Sequence, residues 1–207
     1  MKHPATTSAP VRRFRVLAIA GSLRSQSLNR RLLDAAVTLA PNGMQVEVYD
    51  DLASLPMFNE DTESALLNSG AVLALRERVA AADAVLIATP EYNQSIPGVL
   101  KNAIDWLSRP APDEVLVGKP VAVIGASGGR WGTRLAQAAL RQVLFATESL
   151  VLTGPALYLG GGDAAFDAHG RLVDAAARAS LERVLLGLAQ LMHLHAARED
   201  ADVPVAA

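Results

Sequence analysis

Cysteine is absent from all 207 residues, and that absence removes several chemistries at once. There is no thiol nucleophile, no disulfide, no thiolate zinc site and no cysteine-ligated iron–sulfur cluster. Redox chemistry in this chain therefore requires an organic cofactor. Charge is also scarce. Charged residues are 19% of the chain and the formal net charge is −2, against a charged share of about 25% in soluble domains generally. At that net charge there is no electrostatic footprint for nucleic acid, which would need a basic face. The low charge points to a sheet buried on both faces, or to surface covered by partner subunits. No apolar run approaches the ~20 residues of a membrane span, so no membrane partner is expected.

The N-terminus contains Arg12-Arg13-Phe14-Arg15, loosely similar to a twin-arginine export signal. The apolar run behind it, Val16 to Ala20, falls short of the ~7–15 residues such a signal needs, and Arg24 follows soon after. Residues 1–13 read instead as a flexible leader, 14–197 as one domain and 198–207 as a flexible tail. The chain is expected to be cytoplasmic.

What is present is an alternation of short apolar runs and helical patterns. Arg15 to Ala20, Ala84 to Ala88 and Lys119 to Ile124 are apolar without alternation, as strands buried on both faces are. Met44 to Tyr49 alternates and fits a half-exposed strand nearer the sheet edge. Leu150-Val151-Leu152 begins a fifth strand. Helices are expected at about Leu28–Ala40, Ala71–Ala82, Val99–Leu107, Thr133–Ala146 and Asp174–His195. The stretch from Asp50 to Ser69 is a long irregular connection. Five strands alternating with helices make an α/β fold with a parallel sheet covered on both faces.

In such sheets ligands bind beyond the carboxyl ends of the strands, and three loops there are polar. Ser22 to Asn29, after strand one, suits a phosphate. Ser22, Ser25, Ser27 and Asn29 offer side-chain donors, Arg24 offers charge, and a helix N-terminus follows; ordinary N-capping by Ser27 is the plainer reading. Thr89-Pro90-Glu91-Tyr92-Asn93-Gln94-Ser95-Ile96-Pro97-Gly98, after strand three, is held by proline at both ends. Tyr92 could stack on a flat ring while Asn93 and backbone amides bond its polar edge, or Tyr92 could simply pack on the next helix. Glu91 is better read as a shaper of this loop, accepting backbone N–H bonds, than as a base. Ser127-Gly128-Gly129 would form a third wall where backbone approaches a ligand, or a plain turn. His193 and His195 lie two apart and make a poor metal pair. Trp106 reads as a packing or subunit-interface anchor. No catalytic side chain and no metal site stand out.

Gly21-Ser22-Leu23-Arg24-Ser25-Gln26-Ser27-Leu28-Asn29, Thr89-Pro90-Glu91-Tyr92-Asn93 and Pro97 through Leu107 together resemble the NADPH-dependent FMN reductase family, in particular its bacterial chromate and quinone reductase branch. The likeness runs from about Phe14 to Gly162. It implies a flavodoxin-like three-layer sandwich, a five-stranded parallel sheet in order 2-1-3-4-5, and FMN bound without a covalent link. It further implies NADPH or NADH as co-substrate, a small-molecule electron acceptor, and self-association to a dimer or tetramer. By position, Ser22, Arg24, Ser27, Leu28 and Asn29 would hold the FMN phosphate end. Pro90, Glu91, Tyr92 and Asn93 would border the isoalloxazine, and Ser127 with Gly128 would close the other side. Many relatives carry a tyrosine where this chain has Gln94, so Gln94 is where its substrate range is expected to differ. A flavodoxin-type electron carrier and a nucleotide-binding regulatory module are the rival readings, and the small net charge argues against the carrier.

Overall fold

The structure, a computed structural model, describes residues 13–68 and 70–202. The expected leader, apart from Arg13, and the last residues of the expected tail, 203–207, lie outside the described residues. The centre is a parallel sheet in the order β2-β1-β3-β4-β5. Its interior strands are β1 (Phe14–Ala20), β3 (Ala84–Ala88) and β4 (Pro120–Ala126), and β2 (Met44–Tyr49) is one edge. This is the flavodoxin-like order that the resemblance implies.

The fifth strand differs from the sequence reading. β5 (Leu150–Val151) pairs with Pro120 and Val121, and a sixth strand, β6 (Leu157–Leu159), pairs further along β4 with Ile124–Ala126. The two are segments of one interrupted edge. The gap contains Gly154-Pro155, and proline has no N–H to continue a ladder.

Alternate residues of the interior strands go to opposite faces, which is why these runs are apolar throughout. Val16, Ala18, Leu86, Ala122 and Ile124 pack against α1 (Leu28–Leu39) and α6 (Ala175–Asp202). Leu17, Ile19, Val85, Ile87, Val121 and Val123 pack against α3 (Gly70–Ala81), α4 (Gly98–Leu107) and α5 (Arg134–Ala146). On β2, Gln45 and Glu47 are exposed, as befits an edge. α6 continues beyond His195 to Asp202, longer than the sequence pattern predicts.

The long connection after β2 is not structureless. It contains two 3₁₀ turns, Leu52–Ser54 and Glu60–Thr62, and the short helix α2 (Glu63–Leu66). Residues 56–58 are fastened to α4 from below. The Asn102 amide donates to Pro56 O at 3.0 Å and accepts from Phe58 N at 2.7 Å, and Trp106 Nε1 donates to Pro56 O at 2.8 Å. Trp106 is fully buried, edge-on to Phe58 at 5.0 Å. Met57, between the two fastened residues, is left 76% exposed.

Because every strand runs the same way, the loops after β1, β3 and β4 all emerge at one edge of the sheet. His193 lies at the other end, edge-on against Phe14 at the start of β1.

Candidate active site

The loop after β1 turns at Gly21, whose N–H is bonded to Ala88 O at 2.8 Å. A Cβ at Gly21 would meet Leu100 Cδ2 at 3.0 Å and Pro90 Cδ at 3.3 Å, so glycine lets the first and second loops touch. Ser27 is the N-cap of α1 and its hydroxyl accepts from Arg30 N at 3.3 Å. The N–H groups of Leu28 and Asn29, also in the first turn, have no protein acceptor among the described residues. They point from a helix N-terminus, where the dipole favours an anion. Arg24 is exposed, and nothing among the described residues pairs with its guanidinium. Ser22 Oγ accepts from Arg24 N at 3.4 Å and lies 3.5 Å from the Tyr92 hydroxyl. A cavity of about 250 Å³ opens beside this loop, bordered by Ser22, Arg24, Arg30, Tyr49 and Asp50.

Asn29 does something different from its neighbours. It is buried, and its side chain makes both possible bonds to one residue of β4, Nδ2 to Ala126 O and Oδ1 from Ala126 N, each 2.9 Å. Its amide thus ties the first loop to the third and is not turned towards the cleft.

The second loop is a tight reversal. Tyr92 and Ser95 exchange both backbone bonds at 3.0 Å. The two residues between them, Asn93 and Gln94, have φ of 50° and 63°. Two successive positive φ values define a type I′ turn, whose usual second residue is glycine. The turn presents Tyr92 46% exposed. The loop opens with Thr89, fully buried, whose N–H still bonds Ile124 O at 3.0 Å before Pro90 ends the ladder. Glu91 reaches out of the loop: Oε2 accepts from Leu135 N at 2.8 Å and Ala136 N at 3.0 Å, the first turn of α5.

The third loop follows Gly125 and Ala126. A Cβ at Gly125 would lie 2.0 Å from Thr133 Oγ1 and 2.4 Å from Thr89 O. This is the closest packing among the three loops, and only glycine fits. Ser127 Oγ accepts from Gly129 N at 3.2 Å and donates to Gly132 O at 3.1 Å, so it shapes the turn that follows. Gly128 is exposed, and the space a side chain would take there is bounded by Asp163 Oδ2 at 3.1 Å. Around the cleft stand exposed Trp131, with the Arg130 guanidinium 4.7 Å above its ring, and Tyr158, with that of Arg134 at 5.2 Å.

A sequence model of the family described as NADPH-dependent FMN reductase matches residues 14–164, which include all three loops. The chain belongs to the NADPH-dependent FMN reductase family. This reductase is 48% identical over 175 residues to an NAD(P)H-dependent FMN reductase of Pseudomonas aeruginosa, covering 84% of this chain and 93% of that one. It is 38% identical over 169 residues to a 2-hydroxy-1,4-benzoquinone reductase of a Burkholderia species, covering 82% and 91%. Among solved structures it resembles FerB, a flavoenzyme NAD(P)H:(acceptor) oxidoreductase of Paracoccus denitrificans. The TM-score is 0.80 at 35% identity, over 88% of this chain and 98% of that one. The chain is therefore an oxidoreductase of the FMN and NAD(P)H class.

The residues present fit a flavin mononucleotide. A cofactor with a phosphate at one end and a flat ring with a polar rim at the other needs an anion site beside a strip of free backbone donors. The reductase offers the first at the open first turn of α1, with Arg24 unpaired beside it. It offers the second along the second and third loops, where the N–H groups of Glu91, Asn93 and Gly128 have no protein acceptor among the described residues. Sequence reasoning names most of these positions. It misses Gly125 and Thr133, which set the spacing of the loops, because close packing between residues distant in sequence leaves no local signal.

Proposed function

We propose that the reductase binds FMN across these three loops and passes electrons from NAD(P)H to a small oxidised acceptor. Ser22, Arg24, Ser27 and the N–H groups of Leu28 and Asn29 would take the phosphate. Pro90, Glu91, Tyr92 and Asn93 would border the ring with their backbone, and Ser127 and Gly128 would close its other side. When bound, FMN supplies the redox chemistry, accepting a hydride from NAD(P)H and returning two electrons to the acceptor. The chain's part is placement: unpaired amides at the ring's rim favour added negative charge there. No side-chain acid or base is required, and the carboxylate of the second loop, Glu91, is engaged by two backbone N–H groups of α5.

One open face used by two substrates in turn gives ping-pong kinetics. Quinones are the acceptor class favoured by the relatives, with azo and nitro compounds, chromate and free flavin as further candidates. The exposed Trp131, Tyr92, Met57 and Leu135 suit a cleft completed by a second copy of the chain. If it is so completed, activity per subunit falls on dilution.

The observation that carries this reading is the convergence of three loops with unpaired backbone donors on one cleft, held in register by the Ser22–Tyr92, Asn29–Ala126 and Glu91–α5 contacts. The test is the purified protein, reconstituted with FMN and titrated with NADPH without oxygen. Bound FMN that bleaches, then recovers its absorbance on adding a quinone, supports the enzyme. Failure to bind FMN overturns the reading, and bound FMN that NAD(P)H cannot bleach makes the protein an electron carrier instead.

A further inference from the structure

The first turn of α5 is capped from another part of the chain. Its own N-cap residue, Thr133, makes no capping bond; the Thr133 hydroxyl is buried and accepts from Gln137 Nε2 at 3.0 Å. The two N–H groups that a local cap would serve are taken by the Glu91 carboxylate. A serine or aspartate at position 133 would satisfy them with no long-range constraint. A cap delivered from the loop after β3 has two further consequences. It locks the start of that loop to α5, and it places a full negative charge on a helix end that carries about half a positive one.

Among the described residues no guanidinium pairs with this carboxylate. Arg134, the next residue on α5, lies over Tyr158, and Arg130 lies over Trp131. No salt bridge to Glu91 is present among the described residues. Among the described residues the carboxylate is bonded by two backbone N–H groups, at the root of the loop that carries Tyr92.

We infer that Glu91 is a positioning residue that also restrains the reduction potential of the flavin. The inference rests on the FMN placement proposed above. Two-electron reduction brings negative charge into the cleft. With Glu91 in place, the end of α5 presents net negative charge to it and opposes reduction. With a neutral acceptor in its place, the helix end presents its partial positive charge and favours reduction. The carboxylate thus keeps reduced flavin a stronger donor than the bare helix end would allow.

The test uses full-length wild type, Glu91→Gln, Glu91→Asp and Glu91→Ala, each reconstituted with FMN and followed by thermal melting and by equilibration with a redox dye. Wild type that fails to hold FMN defeats the proposed function and is seen before any variant is compared. Glu91→Gln keeps an oxygen that can accept both bonds but removes the charge. It is expected to melt near wild type while its reduced-to-oxidised ratio, at fixed dye potential, rises tenfold or more, about 30 mV for a two-electron couple. Glu91→Asp keeps the charge on a shorter arm; it should melt lower with a ratio within threefold of wild type. Glu91→Ala should melt lower and also raise the ratio. An unchanged or lower ratio in Glu91→Gln overturns the inference. Should that variant not fold, a shift beyond threefold in Glu91→Asp, or an unchanged ratio in Glu91→Ala, overturns it equally.

Discussion

The side chain of Asn29 and the backbone of Ala126 form a closed pair: donor to carbonyl and N–H to acceptor, both 2.9 Å, both buried. Asn29 is the second residue of α1 and Ala126 the last of β4. The pair therefore fixes the N-terminus of α1 against the strand end that opens the third loop. An amide is the one small side chain that offers a donor and an acceptor at this span.

Removing that amide leaves two buried backbone groups unpaired. At ~1–3 kcal/mol for each orphaned group, Asn29→Ala is expected to lose about 2–6 kcal/mol of stability in urea or guanidinium unfolding. Asn29→Asp keeps the acceptor but sets a carboxylate oxygen against the Ala126 carbonyl, so it should lose as much or more. Stability within 0.5 kcal/mol of wild type in both variants would show that water replaces the amide, and the pair would then not be what aligns the loops.

Gly125 makes a sharper demand. A methyl there collides with the backbone oxygen of Thr89 and the hydroxyl of Thr133, and both threonines are fully buried. Overpacking a tight core costs ~1–3 kcal/mol when side chains can move aside. Here one obstacle is backbone, so Gly125→Ala should exceed the range, at about 3 kcal/mol or more. Pairing it with Thr133→Ser, which removes the Thr133 methyl but keeps the hydroxyl, should recover little. Circular dichroism melts of the two variants decide it, and a Gly125→Ala protein melting with wild type would contradict the packing.

The legible and illegible parts of this molecule separate along the same line. β1, β3 and β4 are readable because two-sided burial forces continuous apolar runs, and β2 because its exposed Gln45 and Glu47 restore alternation. β6 is not readable. Leu157-Tyr158-Leu159 is too short to carry a period, and only its place along β4 makes it a strand. In the candidate site, loop chemistry singles out Ser22 to Asn29, Pro90 to Asn93 and Ser127-Gly128, because serine, proline, asparagine and glycine have strong local preferences. The partners of those side chains have no such signature. Nothing in the sequence near Glu91 says that its carboxylate caps α5, or near Asn29 that its amide closes on Ala126. Each is set by how far a side chain reaches across the finished sheet edge.

Gln94 sits at a φ of 63°, in a conformation that glycine adopts without strain and other residues at a cost of ~1–2 kcal/mol. Gln94→Gly relieves that strain, and part of the gain is returned through the freer unfolded chain. The expected net effect is a stabilisation of about 0.5–1 kcal/mol, read as a higher denaturant midpoint at unchanged slope. A lower midpoint would mean that the Gln94 side chain holds the turn by contacts that outweigh its backbone strain. The same variant separates turn from specificity: if the side chain meets the acceptor, KM ratios between a small and a bulky quinone change while FMN affinity does not.

Arg24 is the cleanest test of where a phosphate would sit, because its side chain has no structural task to confuse the result. Exposed and without a protein partner among the described residues, it should contribute within about 0.5 kcal/mol to stability, as ordinary surface positions do. A charged hydrogen bond to phosphate is worth ~1.5–3 kcal/mol, which corresponds to a rise in FMN Kd of roughly 10- to 150-fold in Arg24→Ala. Arg24→Lys keeps charge but not the guanidinium fork, and its Kd should lie between the two. Riboflavin supplies the control. It lacks the phosphate, so its affinity should be the same in wild type and Arg24→Ala. If riboflavin and FMN lose affinity together, Arg24 contacts the ring or the ribityl chain, and the phosphate must be placed by the α1 N-terminus alone.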